Sequence, residues 1–202
     1  MLQAGSRIVA ATGNPGKLAE IAAILQEFRV EVVSQGELGI GEVEETGLTF
    51  VENAILKARN AARLSERPAI ADDSGLEVDA LGGAPGIRSA RYAGRGADDG
   101  ANIDKLLDEL AGVEQREAAF RCVMVFLRHA EDPSPLIAEG VWRGRILSER
   151  RGGGGFGYDP VFYDPESGGS VAELPAGEKN RISHRAQALR ELARRLAADT
   201  PG

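Results

Sequence analysis

The sequence has few of the residues on which disulfide-bonded, zinc-binding and membrane-spanning proteins depend. Its 202 residues include one cysteine and two histidines. A single cysteine excludes an intrachain disulfide framework and a multi-cysteine zinc site, and the histidines, His129 and His184, lie too far apart for an HExxH helix. The longest apolar run, residues 122–127, is far shorter than the ~20 residues that cross a bilayer. With no recognisable secretory signal, we expect a cytoplasmic protein without a membrane partner.

Basic residues are also in the minority. The chain has 24 lysines and arginines against 31 aspartates and glutamates, a formal charge of −7. A general nucleic-acid binder needs a basic face to replace counterions, so this balance argues against a nucleic-acid polymer as partner. It leaves room for a local basic pocket. Glycine, in contrast, is abundant, with 26 residues, about twice the usual ~7%, and this excess raises the question of where backbone freedom is needed.

The apolar pattern predicts a mixed α/β protein, with helices flanking a mixed sheet, in one domain over residues 1–202. The predicted strands are residues 7–11, 30–33, 69–71 with a short continuation at 76–78, and an antiparallel pair at 118–127 and 136–145. The predicted helices begin at Pro15, at the capping box of Thr49 and Glu52, and near residues 101 and 183.

The first polar loop, residues 12–17, joins a predicted strand to a helix and reads Thr-Gly-Asn-Pro-Gly-Lys. Asn14 can cap that helix, and Pro15 suits its first turn. Such a loop presents backbone N–H groups and a positive dipole end to an anion, and Lys17 adds a charge for phosphate. The glycine spacing is not that of Walker A, so phosphate binding and an ordinary turn with a surface lysine are both open here.

Two groups of carboxylates follow along the chain. Residues 72–75, Asp-Asp-Ser-Gly, are expected at the end of a strand, where sites gather in open α/β sheets; an Asp-rich turn has the same composition. An acidic stretch, residues 42–45, precedes the capped helix that carries Lys57. Mg²⁺ bound to a phosphate substrate is held by one or two protein carboxylates plus phosphate oxygens, so one interpretation is that this stretch supplies a metal ligand. The alternative is a solvated acidic loop.

Two later segments combine glycine, aromatic and charged residues. In the glycine-rich stretch at residues 152–160, Phe156 suits stacking on a flat base and Asp159 suits reading its edge, while the alternative places Phe156 in the core. Further on, Ser183 is expected to cap the last helix. His184 and Arg185 would then lie in its first turn, where cations oppose the helix dipole, which favours a binding role over incidental surface charge.

Taken together and in order, six segments closely resemble the inosine triphosphate pyrophosphatase family. Each is modestly specific, but six in sequence, spanning nearly the whole chain, are highly specific. They are residues 12–17, 44–57, 71–76, 82–87 with 89–92, 155–160 and 183–185. The resemblance implies an elongated α/β fold with two lobes around a central cleft, in a homodimer. It also implies Mg²⁺-dependent hydrolysis of non-standard purine nucleoside triphosphates (ITP, dITP, XTP) to the monophosphate and pyrophosphate, which cleanses the nucleotide pool.

The resemblance also implies roles for individual residues. Asp73 would be the general base and a metal ligand, and Glu44 or Glu45 the second metal carboxylate; the sequence does not decide between them. Phe156 would stack on the base, and donors from His184 or Arg185 would favour its 6-oxo group. The residues expected to contact substrate are Thr12, Gly13, Asn14, Pro15, Gly16, Lys17, Lys57, Ser74, Phe156, Gly157, Tyr158, Asp159, Lys179, His184 and Arg185.

Two other interpretations compete with this one. The first is a Maf-like nucleotide pyrophosphatase with a different base specificity. The second is a nucleotide-binding regulatory protein that does not turn its ligand over. A panel of nucleoside triphosphates separates all three, because they differ in the base preferred and in whether pyrophosphate is released.

Overall fold

A mixed sheet flanked by helices organises the chain. The computed structural model describes residues 6–26 and 29–198, within which the sheet has seven strands. The ends of the domain expected over residues 1–202 lie outside the described residues. None of the described helices combines the length and apolar character that crossing a bilayer requires.

Twelve helices and strands carry the architecture of the described residues. The strands are β1 (Arg7–Ala10), β2 (Glu31–Ser34), β3 (Ala69–Val78), β4 (Glu117–Leu127), β5 (Leu136–Ile146), β6 (Phe162–Asp164) and β7 (Gly169–Ser170). The helices are α1 (Pro15–Gln26), α2 (Phe50–Ser65), α3 (Asp99–Glu109), α4 (Ala176–Ile182) and α5 (His184–Ala198). Short 3₁₀ turns at Gly36–Leu38, Asp79–Leu81, Gly86–Arg91, Asp159–Val161 and Val171–Glu173 complete the chain.

The strand order is β2-β1-β3-β4-β5-β6-β7. Strand β1 runs parallel to both of its neighbours, with Ile8 opposite Val32 and Ala10 opposite Ile70. At the other end of the sheet, β6 is antiparallel to β5 and to β7. A sheet with both strand senses confirms the expected mixed α/β class.

The chain divides into two compact units, and unit 1 comprises residues 1–73, 122–140 and 185–202. Its core joins apolar side chains of β1, β3 and β4 to those of α1 and α5. The members include Ile8, Ile70, Met124, Phe126, Ile21, Leu25, Leu189 and Leu192. Because α1 and α5 bury their apolar faces in this cluster, both helices are fixed relative to β3, which carries two aspartates.

Unit 2 comprises residues 74–121 and 141–184 and has a core of its own. Aromatic rings are prominent there: the ring of Phe162 lies 4.4 Å from that of Phe120 and 5.8 Å from that of Trp142. The Trp142 indole N–H donates to the buried Asp164 carboxylate at 3.1 Å. Apolar residues of α3, such as Leu106, pack into the same core and fix that helix within unit 2.

Strand β3 differs from its prediction. The sequence predicted a strand that ends before Asp72 and resumes at Leu76, whereas β3 runs without interruption from Ala69 to Val78. The Asp-Asp-Ser-Gly composition suggested a turn, but both carboxylates are buried and paired with cations from distant parts of the chain. Those long-range ion pairs outweigh the local turn preference and keep the backbone extended.

The last helical region also differs. The prediction of a helix from residue 183 to 198 is confirmed, since α5 covers His184–Ala198. A second short helix, α4, precedes it and ends at Ile182, and the amide of the next residue, Ser183, donates to the Lys179 carbonyl at 2.9 Å. Helix α4 therefore holds Lys179, one of the expected substrate contacts, in regular structure.

Asp132, in the connection between β4 and β5, provides a test of how unit 1 is stabilised. Its buried carboxylate accepts hydrogen bonds from the Arg128 guanidinium, the Arg128 amide and the Ser134 amide. These bonds, the guanidinium first, hold the pKa of Asp132 below its usual range.

We expect Asp132→Ala to lower the free energy of unfolding by about 1–3 kcal/mol at pH 7, because the part-buried hydrogen bonds that its carboxylate accepts are lost. Because the pKa of Asp132 is lower in the folded than in the unfolded protein, its ionised carboxylate stabilises the fold above the unfolded-state pKa, and this stabilisation is lost as the pH falls. The difference in unfolding free energy between wild type and Asp132→Ala therefore narrows below about pH 4. Urea unfolding at several pH values measures this, and a gap independent of pH would contradict it.

Candidate active site

The loop at residues 12–17 has the geometry of a self-capped helix start. The Asn14 side-chain oxygen accepts from the amides of Gly16 at 2.9 Å and Lys17 at 3.1 Å, while the Thr12 hydroxyl accepts from the Asn14 amide at 3.1 Å. Asn14 therefore caps α1, as the sequence predicted, and Pro15 is the first residue of that helix. Two amides that were expected to face an anion are instead bonded to Asn14, so Lys17 is the charged group that this loop offers.

Asp72 lies at the centre of a buried charge network in unit 1. Its Oδ2 is 2.9 Å from Lys17 Nζ and 3.4 Å from Arg185 Nε, and Arg185 Nη1 is 2.5 Å from Glu20 Oε2. The side chains of Asp72 and Arg185 are 1% and 2% exposed. Burial alone would raise the pKa of Asp72, but the charges of Lys17 and Arg185 outweigh it and hold that pKa below its usual range. Asp72 is thus a permanent anion that orients Lys17 and Arg185.

Asp73, the next residue of β3, has different partners. Lys57 Nζ lies 2.8 Å from Asp73 Oδ1 and 2.9 Å from Glu45 Oε1. Burial raises the pKa of Asp73 above its ordinary value, and the attraction of Lys57 offsets this only in part. Lys57 keeps a raised pKa despite its burial, because Asp72 and Asp73 favour its charged form. A carboxylate with a raised pKa is a better proton acceptor, which suits Asp73 to general-base chemistry.

The oxygen donors near Lys57 fit a hard divalent cation. Glu45 and Asp73 converge on one ammonium nitrogen, so a single cation can reach both carboxylates. Mg²⁺ prefers this kind of ligand and completes its shell with phosphate oxygens and water. The sequence left Glu44 and Glu45 open as ligands; the structure brings Glu45 to Asp73, whereas Glu44 is exposed. Within the described residues, no three Asp, Glu, His or Cys side chains form a metal-binding group by themselves.

Asn53 is a site residue that the sequence reasoning missed. It is fully buried; its side-chain oxygen accepts from the Gly47 amide at 2.8 Å, and its Nδ2 donates to Asp73 Oδ2 at 3.4 Å. A Cβ on Gly47 would lie 2.7 Å from that oxygen, so the loop carrying Glu45 approaches α2 closely only with glycine there. Asn53 and Lys57 are four residues apart on one helix face. That spacing was the available signal.

Glu20 was missed as well. This carboxylate lies on α1, one turn after Lys17, and it pairs with Arg185. Nothing local marks it, because helical glutamates are usually exposed and its partner is 165 residues away in sequence. The structure thereby places Arg185 with Asp72 and Glu20, while its expected contact with a base remains a prediction.

The glycine-rich stretch in unit 2 presents an aromatic ring. Phe156 is 36% exposed, which favours the stacking alternative over the core alternative. Lys179 Nζ lies 4.2 Å from the centre of that ring and 2.5 Å from Asp159 Oδ2, and the same carboxylate oxygen accepts from the Phe156 amide at 2.9 Å. Asp159 therefore fixes both the ammonium and the backbone beside the ring.

Three other expected substrate contacts differ in how deeply they are buried. Tyr158 is buried in the unit 2 core, and its hydroxyl donates to the Ser89 carbonyl at 2.9 Å, so its side chain anchors the loop from within. His184 is buried against Phe120, with ring centres 4.9 Å apart. Ser74 follows Asp73 on β3 and is half-buried.

Known proteins resemble this chain over almost its whole length. The sequence model of the Ham1 family matches residues 8–195, a range that includes all the site residues above. A protein of Methylococcus capsulatus named dITP/XTP pyrophosphatase is 61% identical over 198 residues, 97% of this chain and 98% of that protein. One of the same name from Pectobacterium atrosepticum is 60% identical over 188 residues, 92% and 95% of the two chains. The solved structure of a HAM1 protein from Coxiella burnetii matches with a TM-score of 0.90 at 48% identity, over 96% and 99% of the chains.

We expect Asn53→Ala to lower the free energy of unfolding by about 1–3 kcal/mol, because the part-buried hydrogen bond from the Gly47 amide loses its acceptor. Asn60→Ala is the matched control: Asn60 lies on the same helix and donates to the Gly41 carbonyl from a more exposed position. Its cost should stay within about 0.5 kcal/mol. Thermal or urea unfolding compares the two variants, and equal losses would contradict the role given to Asn53.

Proposed function

The chain belongs to the Ham1 family, and on that premise we propose that it is a nucleoside triphosphate pyrophosphatase that hydrolyses ITP, dITP and XTP to the monophosphate and pyrophosphate. Relatives about 60% identical carry the name dITP/XTP pyrophosphatase, which supports both the hydrolase class and the substrate class. The observation in this chain that carries the proposal is the placement of Asp73. Its carboxylate has a raised pKa and lies beside Lys57 and Glu45, with Lys17 on the neighbouring Asp72.

Asp73 would act on the water that attacks the α-phosphorus. Lys57 holds one carboxylate oxygen and Asn53 approaches the other, so the base has a fixed direction. As the water oxygen bonds to phosphorus, Asp73 takes its proton, and the bond to the bridging oxygen breaks to release pyrophosphate. Lys17 and Lys57 would neutralise the phosphates, exchanging part of their interaction with the protein carboxylates for phosphate oxygens.

Glu45 and Asp73 are the residues that would hold Mg²⁺, since both carboxylates already share one cation. When bound, Mg²⁺ neutralises the triphosphate and stabilises the charge that develops on the leaving pyrophosphate. The Lys57 ammonium would exchange its contact with Glu45 for phosphate oxygens and keep the one that orients Asp73. This makes Lys57 available to the phosphates at the stage of the reaction where negative charge accumulates.

Base selection would depend on the unit 2 residues around Phe156. The exposed ring offers a stacking surface, and Lys179 beside it is a donor with no acceptor capacity. Hypoxanthine and xanthine present an acceptor oxygen at position 6, whereas adenine presents an amino group. A donor aimed at that position therefore favours the oxo bases. With adenine, two hydrogen-bond donors would face each other without an acceptor. We also propose that the protein forms a homodimer, is cytoplasmic and does not have a nucleic-acid polymer as partner.

The first test is pyrophosphate release from ITP, XTP, GTP, ATP and pyrimidine triphosphates, with and without Mg²⁺. We expect release from ITP and XTP that requires the metal, and we expect Asp73→Asn to lower kcat by about a hundredfold or more, the usual loss with a general base. Asp108→Asn, an exposed aspartate on α3, is the control and should keep wild-type kcat.

Each failure in this panel has its own meaning. Preference for a pyrimidine triphosphate over ITP would favour the Maf-like alternative. Nucleotide binding without release of pyrophosphate from any substrate would favour the regulatory alternative. Full activity in Asp73→Asn, measured as kcat for ITP, would remove Asp73 from its role while leaving the substrate class intact.

The stacking role of Phe156 gives a further prediction. We expect Phe156→Ala to raise the KM for ITP about fivefold or more, because stacking of a base on an aromatic ring contributes ~1–3 kcal/mol. Tyr163→Ala is the control, since Tyr163 is an aromatic residue of β6 that contacts Arg145 and has no place in the site. Steady-state kinetics on ITP measures both variants. An unchanged KM in Phe156→Ala, with Tyr163→Ala as reference, would show that stacking does not supply the affinity.

A further inference from the structure

The backbone around Phe156 is held at two consecutive amides by two different carboxylates. The amide of Phe156 itself donates to Asp159 Oδ2 at 2.9 Å. The next amide, that of Gly157, donates to Asp99 Oδ2 at 2.7 Å. These amides stand on either side of the Phe156 Cα, from which the ring projects. The direction of the ring therefore depends on both anchors, and only Asp159 was recognised from the sequence.

Asp99 belongs to α3, far along the chain from the loop that it anchors. It is the first residue of that helix, and 58 positions separate it from Gly157. The capping of α3 is done by its neighbour: the Asp98 side chain accepts from the Ala101 amide at 2.7 Å. Because Asp98 meets the needs of the helix end, the Asp99 carboxylate is available for the loop.

A second tie joins the same helix turn to the chain that leads into the loop. Arg150 Nη2 donates to the Gly100 carbonyl at 2.9 Å and pairs with Asp104 at 2.8 Å. The start of α3 thus contacts Arg150, which precedes the glycine-rich stretch, and Gly157, the last glycine of that stretch. The loop between is clamped at both ends by one helix, which itself packs into the unit 2 core through Leu106.

The glycines make such anchors necessary. Gly155 and Gly157 have φ values of +74° and +59°, in the left-handed region that glycine adopts readily. A Cβ on Gly155 would lie 2.0 Å from Asp159 Oδ2, so the close approach of that carboxylate requires glycine. Ordering a backbone with this freedom costs conformational entropy. If the ring were not anchored, binding of the base would have to order the loop, and the affinity for the base would be lower.

We propose that Asp99 is a positioning residue for base recognition: by holding the Gly157 amide it fixes the Phe156 ring in the orientation that receives the purine. The inference rests on the proposed function, in which that ring stacks on the base. Asp99 acts through the ring and does not touch substrate. Its loss therefore affects the affinity for the base, which KM reports, and leaves the reaction at phosphorus, which kcat reports, close to wild type.

The test compares three variants in steady-state kinetics on ITP. Asp99→Ala removes the acceptor for the Gly157 amide and is expected to raise KM about three- to tenfold. This is less than a buried charged hydrogen bond would give, because Asp99 is exposed. Asp99→Asn keeps a side-chain oxygen in place and should restore most of the wild-type KM. Asp98→Ala removes the cap of α3 and serves as the matched control, with a loss of stability but an unchanged KM.

A double-mutant cycle with Phe156→Ala distinguishes positioning from a general structural effect. If Asp99 acts through the ring, Asp99→Ala raises KM in the wild-type background and has no further effect once the ring is absent. An undiminished effect in the Phe156→Ala background would overturn the inference. So would an unchanged KM in Asp99→Ala alongside a raised KM in Phe156→Ala, and that outcome would leave the proposed function standing.

Amide hydrogen exchange supplies a readout that does not depend on turnover. Exchange over residues 152–157 should accelerate in Asp99→Ala and not in Asp98→Ala, because only the first variant frees the loop. Unchanged exchange in Asp99→Ala would overturn the positioning role whatever the activity. Absence of pyrophosphate release by the wild-type protein would instead count against the proposed function, so the two failures are separately visible.

Discussion

Two adjacent carboxylates on one buried strand, Asp72 and Asp73, need cations close by, because ionised groups without partners are very costly inside a protein. The partners come from three helices. Lys17 of α1 and Arg185 of α5 meet Asp72, and Lys57 of α2 meets Asp73. Successive residues of a strand point to opposite faces, which explains why neighbours in sequence have separate partners. The packing of all three helices in unit 1 and the chemistry of the site thus depend on the same charges.

This arrangement gives the two aspartates different properties. Asp72, surrounded by Lys17 and Arg185, is held as an anion, whereas Asp73 has a raised pKa from burial that Lys57 only partly offsets. One carboxylate therefore suits a fixed electrostatic role and the other suits proton transfer. An acidic chain of net charge −7 can also offer cations to a triphosphate, because its carboxylates bring Lys17 and Lys57 to one place.

What could be predicted from the sequence was mostly local. The cap by Asn14 and the capping box of Thr49 and Glu52 depend on residues within one turn, and both are confirmed. The uninterrupted course of β3 was mispredicted, because the turn-like composition at Asp72 is overridden by ion pairs with residues far away in sequence. Glu20 and Asp99 were missed for the same reason: each acquires its role from a partner that only the folded chain brings near. Asn53 was missed although its spacing to Lys57 on one helix face was a local signal.

The alternation along β3 has a consequence for how the strand finds its place in the sheet. A shift of β3 by one residue in one direction would put Ala71 where Asp72 lies, facing Lys17 and Arg185 with a methyl group. A shift in the other direction would put Ser74 where Asp73 lies, and Lys57 would face a hydroxyl. Either slip removes one of the anions that these cations face, although Arg185 would keep Glu20 and Lys57 would keep Glu45. The charge pattern therefore favours one register among those that an apolar strand could otherwise adopt. The carboxylates that suit the site to chemistry thereby also discriminate against misaligned forms of the sheet.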